Sequence, residues 1–117
     1  MYRVYGIPNC DTVQKAIGWL KKHKIPFEFH DYKKLGISPE KLSSWCSQTA
    51  WEILLNKKGT TWKQLDETVQ AKVKTEKAAI KLMAIHTSMI KRPVIEKDEK
   101  LMSVGFDEVL FAKIYGK

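Results

Sequence analysis

Arginine is nearly missing from this sequence: of 21 basic residues, all but Arg3 and Arg92 are lysine. Against 13 acidic residues the chain carries +8, which by itself would suggest nucleic acid or another anionic partner. Base readout relies on arginine forks in clustered stripes, whereas these lysines are scattered along every predicted helix. Nucleic-acid binding is therefore not expected, and a solvated basic surface suited to small anions is. Cysteine is scarce too. Cys10 and Cys46 allow one disulfide at most, and Val13 stands three residues after Cys10, which excludes a two-cysteine redox motif there. No apolar run is long enough to span a bilayer, no low-complexity stretch or repeat occurs, and nothing has the pattern of a secretory segment. The expectation is a cytoplasmic protein with reduced thiols and no membrane attachment. No metal-ligand pattern is found, so no metal site is expected.

What is present is enough for one folded domain. At 117 residues the chain can bury a single core, with no linker and no room for a second domain. Tyr2 to Tyr5 alternate aromatic and β-branched residues, a short strand ended by Gly6. Val13, Ala16, Ile17 and Leu20 recur at helical spacing and predict a helix facing a sheet, stopped by Ile25-Pro26. Phe27 and Phe29 alternate with Glu28 and His30 as a second strand ending near Asp31-Tyr32. Strand, helix and strand imply a parallel crossover.

The middle reads as helical, with an insertion over about 38–88. Ser38-Pro39 is a cap with proline at the first helical position, and Leu42, Trp45, Cys46 and Thr49 form an inner stripe, so Cys46 is read as packing in mid-helix. Trp51 to Leu55 predicts a short helix, Thr61 with Gln64 a capping box opening the Trp62 to Glu67 segment, and Glu76 to Ile85 another helix. Strands return at Pro93-Val94-Ile95 and Leu101 to Val104 around the polar turn Lys97 to Lys100, an antiparallel hairpin. A last helix capped by Asp107 turns Leu110, Phe111 and Ile114 inward. The order β-α-β, helices, β-β-α is that of an α/β, thioredoxin-like fold with a mixed sheet of about four strands.

The candidate site is Tyr5-Gly6-Ile7-Pro8-Asn9-Cys10-Asp11-Thr12. A strand stops, a turn follows, and Cys10 opens the first helix with Asn9 as the expected N-cap. Unpaired N–H groups and the positive end of the helix dipole bias a thiol there toward thiolate, while the neighbouring Asp11 carboxylate opposes that bias. In this fold a strand-opening X-Pro bond can bend the chain so that Arg92, before Pro93, approaches Cys10 and supplies a two-point anion ligand.

With those residues in place, the sequence resembles the arsenate reductase (ArsC) family of thioredoxin-like proteins, including its Spx and YffB branches. The matching residues are Tyr5 to Thr12 with Lys15-Ala16, Phe29-His30-Asp31-Tyr32, Leu54-Leu55-Asn56 with Gly59-Thr60-Thr61-Trp62, and Ile90-Lys91-Arg92-Pro93, and they span nearly the whole chain. Phe29 to Tyr32 and Gly59 to Trp62 look most like the YffB branch. The resemblance implies a nucleophile at Cys10 and an arginine at Arg92. Asn9, Asp11, Thr12, Lys15, Lys57, Lys58 and Pro93 complete the expected substrate- and anion-binding set. It further implies a monothiol oxidoreductase with no bound cofactor, glutathione as co-substrate, glutaredoxin as a partner, and a small oxyanion or mixed disulfide as substrate. Two departures matter. Where arsenate reductases carry further arginines, this chain has Asn56 followed by Lys57 and Lys58, and Val104-Gly105-Phe106 before the last helix; lysine supplies charge without the fork. A glutathione-dependent thiol reductase is therefore expected ahead of a true arsenate reductase. An Spx-like regulator is the alternative of another class, lacking the two-cysteine switch because of Val13.

Overall fold

The computed structural model describes residues 1–116. The elements are β1 (Tyr2–Gly6), α1 (Asp11–Lys22), β2 (Phe27–Asp31), α2 (Tyr32–Leu35), α3 (Pro39–Cys46), α4 (Trp51–Leu54), α5 (Thr60–Lys63), α6 (Glu67–Lys72), α7 (Glu76–Ile85), β3 (Val94–Lys97), β4 (Lys100–Val104) and α8 (Glu108–Tyr115), with a 3-10 turn at Thr87–Met89. They divide into two compact units, one made of Met1–Leu35 and the chain from Arg92 onward, the other of Gly36–Lys91.

The first unit holds a mixed 4-stranded sheet in the order β2-β1-β3-β4, the α/β arrangement expected from the order of elements. β1 runs parallel to β2 and antiparallel to β3, and β3 is antiparallel to β4. The turn between β3 and β4 is two residues, Asp98 and Glu99, both with positive φ (52° and 67°), the geometry whose twist matches a tight hairpin. Val4 and Ile95 are register partners and fully buried. They pack with Ala16, Trp19 and Leu20 of α1 and Phe111 and Tyr115 of α8 in one core. The helical spacing foresaw Ala16 and Leu20; Trp19 joins them, its ring edge-on to Phe111 at 5.5 Å. Tyr115 ends the core with a hydroxyl 2.5 Å from Ser103 Oγ.

One expectation needs correction here. Leu110 does not face inward: it is 43% exposed, because the helix from the Asp107 cap turns Phe111 and Tyr115 onto the sheet and leaves Val109 and Leu110 outside. β2 ends at Asp31, where expected, and Tyr32 opens α2, with Asp31 Oδ1 accepting the Lys33 N–H at 2.9 Å as the chain bends off the sheet.

The second unit is helical apart from a bridge between Leu55 and Ile90. Ser38 caps α3 by accepting the Lys41 N–H at 3.1 Å, with Pro39 first in the helix, and Thr75 caps α7 through the Ala78 N–H at 3.2 Å. Leu42, Trp45 and Cys46 of α3 and Ala79 and Met83 of α7 are buried. Cys46 is the last residue of α3 rather than a mid-helix one. The Thr61–Gln64 capping box does not form. Gly59 precedes a single turn over Thr60–Lys63, Thr61 Oγ1 is 2.8 Å from Ser88 Oγ, and the following helix starts later, capped by Asp66 through the Thr68 N–H. Thr61 cannot act as the cap because it lies inside that turn, whose N-cap is Gly59.

Candidate active site

The site grows from the end of β1. Ile7 C=O accepts the Cys10 N–H at 3.2 Å, making Pro8 and Asn9 the central residues of a turn, and Cys10 C=O accepts the Gln14 N–H at 2.9 Å as the first helical bond. Cys10 itself is extended (φ −95°, ψ 126°) and is the N-cap of α1. This corrects the expected placement by one residue: Asn9 is not the cap but an exposed turn residue, because the Pro8-Asn9 pair is consumed in closing the turn. Gln14 Nε2 ties the turn down by donating to Pro8 C=O. Gly6 sets the depth of the helix start, since a Cβ there would lie 2.9 Å from Val13 Cγ2. Only a glycine lets the first turn of α1 settle so closely on the strand end.

The Cys10 thiol is half-buried. Burial pushes its pKa up. The Val13 N–H, a hydrogen bond from the Arg92 side chain, the Thr12 N–H and the Arg92 charge together outweigh that, so the pKa falls below the ordinary cysteine value. Arg92 arrives by register. β3 is antiparallel to β1 with Val94 opposite Tyr5, so Pro93 falls level with Gly6, the last residue of β1, and Arg92 runs past it toward the Ile7–Cys10 turn. The Arg92–Pro93 peptide is cis, Pro93 is buried, and Pro93 C=O accepts the Gly105 N–H at 2.8 Å. Cys46 behaves oppositely: burial, then the Glu76 charge, pushes its thiol up to about 11.

Of the other expected residues, Asp11 and Thr12 are the first two of α1 and Lys15 stands one turn on, all exposed. Lys57 and Lys58 belong to the second unit. Lys57 Nζ lies 5.8 Å from the centre of the Trp51 ring and 5.5 Å from that of Trp62, a cation held between two indoles, and the Lys58 N–H donates to Asn56 Oδ1 at 3.2 Å. Within the first unit the structure thus gathers Cys10, Thr12 and Arg92 at one point.

Sequence reasoning missed a polar group on the sheet face opposite the α1 and α8 core. Tyr5 donates to Glu96 Oε1 at 2.5 Å, and both side chains are buried. The Tyr5 ring lies 4.7 Å from that of His30 and 6.2 Å from that of Tyr32. Burial and the Glu96 bond push the Tyr5 hydroxyl up to about 12, and burial holds the Tyr32 hydroxyl far above its usual value, with Arg92 acting in the other direction. The signal was present in Val94-Ile95-Glu96-Lys97: alternation puts Glu96 on the face away from Ile95, but a charge in a short strand reads as exposed. Among the described residues no group of three His, Cys, Asp or Glu side chains could hold a metal ion, and no helix is long and apolar enough to cross a membrane.

A thiolate at a helix start, beside a guanidinium, can attack a disulfide sulfur or an oxyanion while the arginine holds negative charge on the incoming group. The ArsC family model matches residues 5–114. The solved structure of a YffB protein superposes with a TM-score of 0.91 at 45% identity, covering 97% of this chain and 98% of that one. An arsenate reductase (ArsC) related protein from Brucella melitensis has a TM-score of 0.77 at 43% identity, covering 99% and 95%. The global transcriptional regulator Spx of Streptococcus pyogenes serotype M3 is 30% identical over 110 residues, 92% of this chain and 80% of that protein.

Proposed function

The chain belongs to the ArsC family, with its thioredoxin-like fold, and from that premise we propose that it is a monothiol oxidoreductase that works with glutathione through Cys10. The observation that carries this reading is the contrast between its two thiols. Cys10 sits at a helix N-cap with its pKa lowered by backbone N–H groups and Arg92, whereas Cys46 is buried and pushed to about 11. Of the two, Cys10 is the one whose surroundings favour the thiolate.

In the proposed cycle the Cys10 thiolate attacks the glutathione sulfur of a mixed disulfide. The old S–S bond breaks, the substrate leaves as a thiolate that takes a proton, and Cys10 is left glutathionylated. A second glutathione thiolate then attacks that adduct, releasing oxidised glutathione and restoring Cys10, so each disulfide broken is matched by one formed. With Val13 three residues on, no neighbouring cysteine resolves the adduct, and external glutathione or glutaredoxin does so in a reducing cytoplasm. Arg92 holds a carboxylate of the incoming tripeptide, and the N–H groups at the start of α1 favour the departing or attacking charge.

Arsenate is a weaker candidate because it must be stripped of water and held by several forked donors. Arg92 supplies one, while Asn56 and the segment Val104-Gly105-Phe106 stand where the family resemblance implies further arginines. The similarity to Spx over 92% of the chain supports a second reading, a protein-binding regulator without a thiol switch. One experiment separates the three. Oxidised glutathione is expected to give a single stable adduct, seen by intact mass, that Cys10→Ser abolishes. Vigorous arsenate reduction without any adduct would return the protein to the arsenate reductases, and function in cells untouched by Cys10→Ser would make it a regulator.

A further inference from the structure

Tyr32 is 1% exposed, and its hydroxyl has no hydrogen-bond partner among the described residues. Its ring is held on the Tyr5–Glu96 face of the sheet, 6.2 Å from the ring of Tyr5 and 6.2 Å from that of His30. Tyr5 spends its own proton on Glu96. A phenol buried without a partner costs free energy that a phenylalanine would not, and such a group calls for a bond made in another state of the molecule.

Register shows where that bond can form. In the strand order β2-β1-β3, Asp31 of β2 is level with Gly6 and Val94 of β3 lies opposite Tyr5. The chain just past Asp31 and just before Pro93 therefore brings Tyr32 and Arg92 to the two sides of Ile7, where the Cys10 turn begins. Arg92 Nε is buried, and the Arg92 charge acts on the Tyr32 hydroxyl. The same Arg92 side chain hydrogen-bonds Cys10. One guanidinium thus acts on both the buried phenol and the reactive sulfur. It carries more N–H donors than the sulfur can use, and a phenol oxygen is an acceptor. Burial keeps Tyr32 protonated, so it meets Arg92 as a dipole rather than as a counter-charge.

We propose that Tyr32 is a positioning residue for Arg92: when the terminal nitrogens of the guanidinium take a carboxylate of the incoming disulfide in two-point fashion, the Tyr32 oxygen accepts the inner Nε–H and fixes the plane of the fork. The proposal rests on Cys10 being the reacting thiol and Arg92 its anion ligand. It deepens that reading by making Tyr32 a determinant of specificity for disulfides that carry a carboxylate. A guanidinium fastened at its inner edge has less freedom left to lose on binding, which favours an anionic substrate over a neutral one. Tyr32 touches no reacting atom, so it acts on recognition and not on the exchange of bonds.

Selectivity between two disulfides tests this. Cys10 is offered oxidised glutathione, which carries carboxylates, or bis(2-hydroxyethyl) disulfide, which carries none. Each attack forms a mixed disulfide on Cys10 and releases one thiolate, so one S–S bond replaces another, and intact mass follows the adduct. Tyr32→Phe is expected to lower the ratio of the glutathione rate to the neutral-disulfide rate about tenfold at subsaturating concentrations, as for loss of a hydrogen bond to a charged group. Tm should not fall, because the hydroxyl removed has no partner in the free protein. In an Arg92→Lys background the same Tyr32→Phe change should move the ratio less than about twofold, since lysine has no fork to fix. An unchanged ratio in Tyr32→Phe, or a tenfold fall that persists beside Arg92→Lys, overturns the proposal. Rates that fall together for both disulfides with a lowered Tm make Tyr32 a packing residue and overturn it as well. A parent chain inert toward both disulfides overturns the thiol reading itself, and the proposal with it.

Discussion

Removing the Tyr5 hydroxyl tests how the sheet beneath the site is held. The phenol donates to a carboxylate oxygen of Glu96 at 2.5 Å, and the two residues are 2% and 4% exposed. Tyr115 offers an internal control, because its hydroxyl lies 2.5 Å from Ser103 Oγ and it too is 4% exposed. The same Tyr→Phe change therefore breaks bonds of equal length in one sheet unit, one to an acidic group and one to a neutral hydroxyl, and at Tyr5 it also removes the contact of the hydroxyl with the Arg3 side chain. A buried bond to a charged group is worth about 2–3 kcal/mol and a neutral one about 1 kcal/mol. Tyr5→Phe also leaves the Glu96 carboxylate in the interior without that donor, which pushes its cost toward the upper end. At about 4 °C per kcal/mol for a chain of this size, Tyr5→Phe should lower Tm by about 10 °C and Tyr115→Phe by about 4 °C. Urea unfolding followed by tryptophan fluorescence gives the free energies, and Trp19 in the sheet core is a suitable reporter. Equal losses, or a Tyr5→Phe loss under about 0.5 kcal/mol, would refute the charged-acceptor account.

Three further outcomes follow from the same geometry. Arg92→Ala should move the midpoint of Cys10 alkylation against pH upward, toward an ordinary cysteine, because both its hydrogen bond and its charge lower that pKa; an unchanged midpoint would remove Arg92 from the site. Cys46 is neutral in the fold up to about 11 but ionises near 9.0 when unfolded, so it lends stability that is full below pH 9 and is lost as the pH rises toward 11. Urea midpoints across that range should fall less steeply for Cys46→Ala than for the parent chain, and an identical slope would contradict the burial argument. Gly6→Ala puts a methyl 2.9 Å from Val13 Cγ2 and should cost about 1–3 kcal/mol while slowing Cys10 alkylation at neutral pH, as the start of α1 is pushed off the strand. Normal stability and reactivity in that variant would show that the helix start tolerates displacement.

The sequence by itself determined what short-range physics writes locally. Alternation marked the strands, the 3.6-residue spacing marked α1, and Ser38-Pro39 and Asp107 marked helix starts that the structure keeps. It also singled out Cys10, since a strand, a turn and a helix start can be read within a dozen residues. The same local reading failed where one residue had two possible uses: Asn9 could cap or turn, and Thr61 could cap or reach Ser88, and only the folded chain chooses between them. Tertiary structure alone decided the relations between distant segments. The β1–β3 register carries Arg92 across more than eighty residues to the Cys10 sulfur and buries Glu96 against Tyr5. A period of two shows that Glu96 and Val94 share a face, but which strand that face meets depends on pairing, and pairing is a long-range property.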